Sequence, residues 1–403
     1  MSKHHNDINP DSCTACTSCI SHCPVTAATR KFRGPKMMGP ALERMRLSQD
    51  DVEPSLEYCS NCKNCDMACP SGVPISTLNM KARAQYFKTR KQSMRDEMLG
   101  HGEKMGKLIS ALPAGAFFAN LGMQVGKAFG IMNAIGISDK LPLTYAGTSF
   151  IKQFKELKQT SYPDKVVFYP GCFINYQDPQ VGMDFVAVMQ ANKYEVIVEE
   201  DFVCCGSPLL VTGYLEECEQ NAKKNTAIMK KWTDKGIPVI TCCTSCGLML
   251  KQEYQELFEI DGLAENAKML YDATEFLVNL DEKGRLNKEF GAIEHRYMYH
   301  APCHLRVQGY GLPALDLLEM IPGLTIENAD AGCCGISGNY GFKADKYDIA
   351  MTVGAKLFET IKESGVDTAV CDCGTCRLQI THGAGVKAVH PMSLLRQAYE
   401  AKK

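Results

Sequence analysis

From about residue 163 onward the chain alternates short apolar runs with longer amphipathic ones. "KVVFY" (165–169), "YEVIVEE" (194–200) and "IPVITCCTSC" (237–246) read as strands, because they are β-branched or aromatic and only a few residues long. Between them, "PQVGMDFVAVMQ" (179–190) and "GYLEECEQNAKKNTAIMKKWTDKG" (213–236) have helical period, and the second ends in glycine. The same order returns as "HRYMYH" (295–300), "LPALDLLEM" (312–320), "LTIENAD" (324–330), "YDIAMTVGAKLFETIKESG" (347–365) and "VDTAVCDCGTC" (366–376). Strands alternating with helices predict two α/β units with parallel sheets. In such sheets ligands sit beyond the carboxyl ends of the strands, and that is where the cysteines of each unit fall.

Those cysteines define the repeat. Cys172, Cys204, Cys205, Cys243 and Cys246 recur as Cys303, Cys333, Cys334, Cys373 and Cys376, displaced by about 130 positions. Each unit reads C…CCG…C-x-x-C. An ordinary four-iron cube takes four cysteines, so each set has one too many. Either one thiol is free and reactive, or the centre is not an ordinary cube. The glycine after each pair, Gly206 and Gly335, permits backbone turns closed to other residues. Inert core pairs are the alternative, but two complete sets in register argue against it. Cys218, Cys242 and Cys371 lie outside the repeated set and read as core residues or neighbours of the ligands.

The N-terminal region has no such alternation. It carries "CTACTSCISHCP" (13–24) and "CSNCKNCDMACP" (59–70), both C-x2-C-x2-C-x3-C-P. This spacing is that of bacterial two-cluster ferredoxins, where the fourth cysteine of each run serves the other cluster. The expected sets are Cys13, Cys16, Cys19 and Cys69 for cluster 1, and Cys59, Cys62, Cys65 and Cys23 for cluster 2. Structural zinc would account for C-x2-C pairs, but not for a third cysteine in step followed by Cys-Pro, twice. Between the runs, "FRGPKMMGPALERMRL" (32–47) reads as a Gly-Pro loop leading into a short helix. The basic stretch "KARAQYFKTRKQSMR" (81–95) reads as one helix.

Composition sharpens this. The chain has 403 residues, 21 of them cysteine, with a net charge of −2. The near-neutral balance excludes a nucleic-acid partner recognised by a basic face. The opening "MSKHHNDINPDSC" lacks the apolar core of a secretory signal, so a cytoplasmic setting is expected, and there cysteines bind metal or do redox chemistry. Neither G-x-G-x-x-G after a strand nor G-x-x-x-x-G-K-[ST] occurs, so no nucleotide site is signalled. Residues 106–137 carry a charge-free run from Leu108 to Gly126, interrupted by Pro113, Asn120 and Gln124. They are too polar to span a bilayer and read as helices lying at a membrane surface or as a packed linker.

Along its whole length the sequence resembles the iron–sulfur subunits of anaerobic glycerol-3-phosphate dehydrogenases. The glycolate oxidase iron–sulfur subunit, lactate-utilisation iron–sulfur proteins and the CCG-bearing subunit of heterodisulfide reductase are relatives. The resemblance rests on both cysteine patterns and on "GPKMMGPALERMRL", "FYPGCFINYQDPQVG", "HAPCHLRVQG", "CCGISGNYGFK" and "HPMSLL". It implies a multi-domain protein: an α-helical two-cluster [4Fe-4S] ferredoxin module (1–100), a helical linker with a possible membrane-interface segment (101–162), and tandem α/β CCG domains (163–290 and 291–403). It further implies two [4Fe-4S] clusters and one or two non-cubane clusters on the five-cysteine sets. The implied role is relay of electrons from a separate FAD-containing dehydrogenase subunit, acting on sn-glycerol-3-phosphate, toward quinone in anaerobic respiration. A further subunit and peripheral contact with the inner face of the cell membrane go with that role. Substrate chemistry then belongs to the partner. The rival expectations are catalytic CCG clusters, as in heterodisulfide, lactate or glycolate systems, and a zinc-bound scaffold or redox sensor.

Overall fold

The computed structural model describes residues 10–41, 54–88, 90–141 and 143–402. Its C-terminal part holds two four-stranded parallel sheets. The first comprises β1 (Asp164–Phe168), β2 (Tyr194–Ile197), β3 (Val239–Thr241) and β4 (Leu270–Asp272), in the order β2-β1-β3-β4. The second comprises β5 (His295–Tyr299), β6 (Leu324–Asn328), β7 (Thr368–Val370) and β8 (Lys387–Val389), in the order β6-β5-β7-β8. The orders are identical, and every pairing is parallel. The expected strands are all present; β4 and β8, which the sequence pattern did not mark, close each sheet.

The central strands are apolar on both faces, as a sheet covered on both sides requires. Val166, Val167 and Phe168 are fully buried. Phe168 stacks on Phe185 of the helix Pro179–Ala191, with ring centroids 4.4 Å apart, and meets Phe150 edge-on at 5.3 Å. Each such side chain contributes about 1.5–3 kcal/mol by leaving water. One core runs through both sheets, joining Phe168 and Ile240 to Tyr299, Val370 and Leu395. The last helix, Pro391–Ala401, crosses back onto the first domain. There Arg396 pairs with the fully buried Asp184 at 2.7 Å, and Asn192 Nδ2 donates to Tyr399 Oη at 3.0 Å. The two domains therefore form one body.

The N-terminal part is helical and packs across both domains. The helix Ile75–Lys88 is its spine. From it the buried Arg83 donates to the carbonyls of Leu56 and Cys59 at 2.7 Å and to that of Val211, in the first domain, at 2.8 Å. The basic stretch is not one helix. The helix ends at Lys88, and Ser93 starts another, Met94–Gly100, by accepting from the Asp96 N–H at 3.1 Å. That N-cap competes with continuation and wins. Between the Gly-Pro pairs, Met37–Ala41 form a turn around Gly39; the short helix expected after it lies outside the described residues.

Residues 106–137 form the helices Gly102–Ala111, Gly115–Ala128 and Ile131–Ala134, broken at Pro113. Among the described residues no helix is long and apolar enough to cross a membrane. These helices nevertheless present Leu108, Leu112, Phe117, Phe118, Leu121, Val125, Phe129 and Ile131 to solvent, Phe129 at 78% exposure.

Candidate metal centres

Each C-x2-C-x2-C run curls because residues between its cysteines adopt left-handed backbone. The angles are φ 59° at Ala15 and 68° at Thr17, and 55° and 60° at the equivalent Asn61 and Lys63. Non-glycine residues seldom sit there, so the curl is imposed on both loops alike. The Cys-Pro step has a local reason too. Pro24 opens the helix Pro24–Ala28, where a missing N–H costs nothing. Cys23 caps that helix, its Sγ accepting from Thr26 N at 3.5 Å. Cys69 Sγ likewise accepts from Val73 N at 3.3 Å.

The folded loops exchange their fourth cysteines. Burial raises the Cys19 thiol pKa, and so do Cys13, Cys69 and Cys16 beside it. Burial raises Cys59 and Cys62, and Cys23, which lies with the other run, adds to that rise in both. A void is bounded by Cys23, Cys59, Cys62 and Cys65. Burial opposes ionisation at Cys19, Cys59, Cys62 and Cys65, a cost that a cationic centre relieves, and each quartet gathers the four cysteines that an iron–sulfur group takes. The first is near the surface, with Cys16 exposed and Cys13 and Cys69 half-buried; the second is buried.

The wall of the second quartet is charged and closed. Lys63 is buried, 2.9 Å from Glu256, 3.4 Å from Glu253 and 3.8 Å from Asp66. Burial opposes its charge, but the three carboxylates outweigh burial and hold its pKa above the ordinary lysine value. Asn61 Nδ2 donates to Glu253 Oε1 at 3.0 Å. His304 reaches in from the second domain: its Nε2 donates to the Asn61 carbonyl at 2.9 Å, so Nδ1 accepts from the Ser245 hydroxyl at 2.9 Å. With both ring nitrogens committed, His304 is a latch between three parts of the chain.

The two five-cysteine sets are wired identically. In the first, sulfurs neighbour one another in the order Cys172, Cys204, Cys205, Cys246, Cys243, with Cys172 and Cys204 Sγ 3.8 Å apart. In the second the order is Cys303, Cys333, Cys334, Cys376, Cys373, with Cys334 and Cys376 Sγ 3.1 Å apart. Every cysteine keeps the place of its repeat partner. Hydrogen bonds from Cys204 and then Cys246 lower Cys205 to about 7, and one from Cys376 lowers Cys373 to about 5. Soft donors already gathered, some poised as thiolates, fit an iron–sulfur group in both domains.

The glycines answer a steric demand. Gly206 and Gly335 both adopt φ 88°. A Cβ on Gly206 would lie 2.6 Å from Cys218 Sγ, and one on Gly335 would collide with the Ala350 carbonyl. Cys218 is thus the floor beneath the first pair. Around that pair, Cys204 N donates to Glu103 Oε2 at 2.9 Å and Tyr254 Oη to the Cys205 carbonyl at 2.8 Å.

Two relations escaped the sequence. Cys62 of the ferredoxin region packs against Cys303 and Cys333 of the second domain. And a cavity of about 160 Å³ lies between the domains, bordered by Cys172, Cys205, Cys243, Cys246 and Cys373 and walled by Met98, Leu143, Phe173 and Phe342.

Comparison with known proteins agrees with this plan. The 4Fe-4S dicluster domain family matches residues 10–73, and the cysteine-rich domain family, CCG, matches residues 166–251 and 297–381. One subunit of the anaerobic glycerol-3-phosphate dehydrogenase of Escherichia coli (strain K12) is 35% identical over 399 residues, covering 98% of this chain and 99% of the relative. One subunit of the fumarate reductase (CoM/CoB) of Methanothermobacter marburgensis is 30% identical over 406 residues, covering 96% and 72%. The probable glycolate oxidase iron–sulfur subunit of Bacillus subtilis (strain 168) is 24% identical over 428 residues, covering 96% and 93%.

Proposed function

The chain belongs to the family of iron–sulfur electron-transfer subunits found in anaerobic glycerol-3-phosphate dehydrogenase, and from that premise we propose that it carries electrons from a separate FAD-containing subunit oxidising sn-glycerol-3-phosphate toward quinone. Bound four-iron clusters supply one-electron redox chemistry. The chain's own part is to hold the sulfurs in line and to exclude water between them.

One observation carries this reading. The cysteine sets form an unbroken series of neighbours from surface to cavity. Cys16 is exposed, where a partner subunit can dock. Cys65 packs in one apolar cluster with Cys19, linking the two ferredoxin quartets. Cys62 touches Cys303 and Cys333. The cavity then adjoins Cys373 of the second set and four cysteines of the first. Its apolar walls suit a quinone ring. The exposed apolar helices, flanked by Lys104, Lys107 and Lys127, suit an anionic bilayer surface from which a quinone is drawn.

The test is reduction of a menaquinone analogue by sn-glycerol-3-phosphate, with the flavoprotein subunit alone and with this chain added. Reduction should require both. Equal rates without this chain would defeat the relay reading. Flotation with anionic liposomes tests the membrane contact, which fails if the chain stays wholly in the soluble fraction. The cavity also favours a second reading, in which the CCG centres themselves reduce a bound disulfide. A disulfide-dependent change in the C-terminal cluster signal of this chain alone would select it.

A further inference from the structure

The two CCG sites share their five cysteines, but two flanking positions differ in kind. Sheet register fixes the equivalence. Val167 pairs with Val239 and Phe168 with Ile240, as Met298 does with Ala369 and Tyr299 with Val370. The next residue on the first strand is Tyr169 in one domain and His300 in the other. Each makes the same backbone bond, Tyr169 N to the Ile240 carbonyl at 2.8 Å and His300 N to the Val370 carbonyl at 2.9 Å. The next residue on the partner strand is Thr241 in the first domain and Cys371 in the second. So where the first domain has a phenol and an alcohol, the second has an imidazole and a thiol.

In the first domain the phenol is engaged elsewhere, Tyr169 Oη donating to the Val203 carbonyl at 2.6 Å. In the second, His300 is 2% exposed and, among the described residues, its Nε2 has no hydrogen-bond partner. A buried polar nitrogen left unpaired costs roughly 1–3 kcal/mol, so such a group calls for a partner. The ligand atoms of His300, Cys371 and Cys376 all lie within 4.8 Å of one another. Cys376 is already one of the five repeated cysteines. One nitrogen and two sulfurs, all buried, form a donor set for a first-row metal ion.

We propose that the second CCG centre is a mixed nitrogen–sulfur site, in which His300 Nε2 and Cys371 Sγ join Cys376 in holding iron, whereas the first centre is held by sulfur alone. The proposal rests on the reading that the second five-cysteine set binds iron. A nitrogen donor in place of sulfur raises the reduction potential of an iron–sulfur centre. The two repeats would then differ in potential although their repeated cysteines are the same.

The test uses the full chain, reconstituted anaerobically with iron-57 and sulfide. Mössbauer spectroscopy counts every iron whatever its spin state, and nitrogen-ligated iron stands apart from all-sulfur iron. The wild type should show such a component. His300→Tyr with Cys371→Thr installs residues that the first domain already accommodates, and should abolish it and shift the potential of one C-terminal centre. The ferredoxin signals should stay unchanged, which reports that the chain is folded. His300→Gln, a milder change, should also remove the component. A wild type without a nitrogen-ligated component, or variants that keep it, would overturn the proposal while leaving the relay intact. Iron confined to the ferredoxin region would overturn both.

Discussion

The two five-cysteine sites follow one wiring plan but sit in different surroundings. The first opens: Cys172, Cys205, Cys243 and Cys246 border the interdomain cavity. The second is largely sealed. It gives that cavity only Cys373 and turns Cys303 and Cys333 against Cys62 of the ferredoxin region. The repeat dictates the order of sulfurs within each site. In the proposed relay the surroundings set what each exchanges electrons with, the sealed one with another metal centre and the open one with a small molecule. A duplicated domain can thus divide the labour of receiving and delivering without altering its repeated cysteines.

The contrast can be broken most severely at Cys62. Cys62→Ser removes both a proposed ligand and the sulfur that packs against the sealed site. Electron delivery to quinone should fall by more than the roughly 100-fold that outer-shell changes reach, and the paramagnetic signal of the buried ferredoxin quartet should be lost. Wild-type delivery in that variant would dissolve the link between the two regions. Next in size is Lys63→Met, which leaves Glu253 and Asp66 without their buried cation. Losing one partner of a buried ion cluster costs about 3–5 kcal/mol, read as a lower unfolding midpoint; a shift worth less than about 1 kcal/mol would show that this wall does not hold the interface.

The open site is tested by filling its cavity. Leu143→Trp places bulk among the lining residues. Quinone turnover should drop roughly 10-fold, about 1.4 kcal/mol, with every cluster spectrum unchanged. Turnover at the wild-type rate would remove the cavity from the pathway. The smallest effect concerns acid–base balance between the domains. Burial, and then the neighbouring Asp272, raise the Asp372 carboxyl from 3.8 to about 7; burial raises Asp272 to about 6. Between those limits the folded state binds more protons than the unfolded one, so stability should decline as pH climbs from about 4 to about 7. Asp372→Asn should flatten that slope in thermal unfolding, and an unchanged slope would assign it to other groups.

The parts of this molecule legible in the sequence are those written locally or written twice. The two ferredoxin runs repeat one spacing, and the CCG sets repeat another, so the register of all eighteen cysteines they contain could be read directly. Strands β4 and β8 were not legible, because three residues carry little pattern and, unlike the equally short β3 and β7, neither runs into a repeated cysteine motif. The helix break after Lys88 was hidden by a continuous run of helix-forming residues, which a single capping serine overrode. Contacts such as Cys62 with Cys303, or His304 with Asn61, join residues about 240 positions apart, and periodicity has no reach at that range. His300 left a trace, since "HRYMYH" aligns with "DKVVFY" (164–169) and sets histidine against Tyr169. Its meaning emerged only once the strand register placed it beside Cys371.

The His304 latch also has a bearing on biosynthesis. All eight ferredoxin cysteines are translated by residue 69, yet the loop carrying Asn61 and Lys63 is clasped by Glu253, Glu256 and His304, which are translated much later. Until they arrive, the buried quartet has its sulfurs but not its lid. For the cluster proposed there, the window for loading metal would therefore span most of the chain's synthesis, with the C-terminal domain closing it.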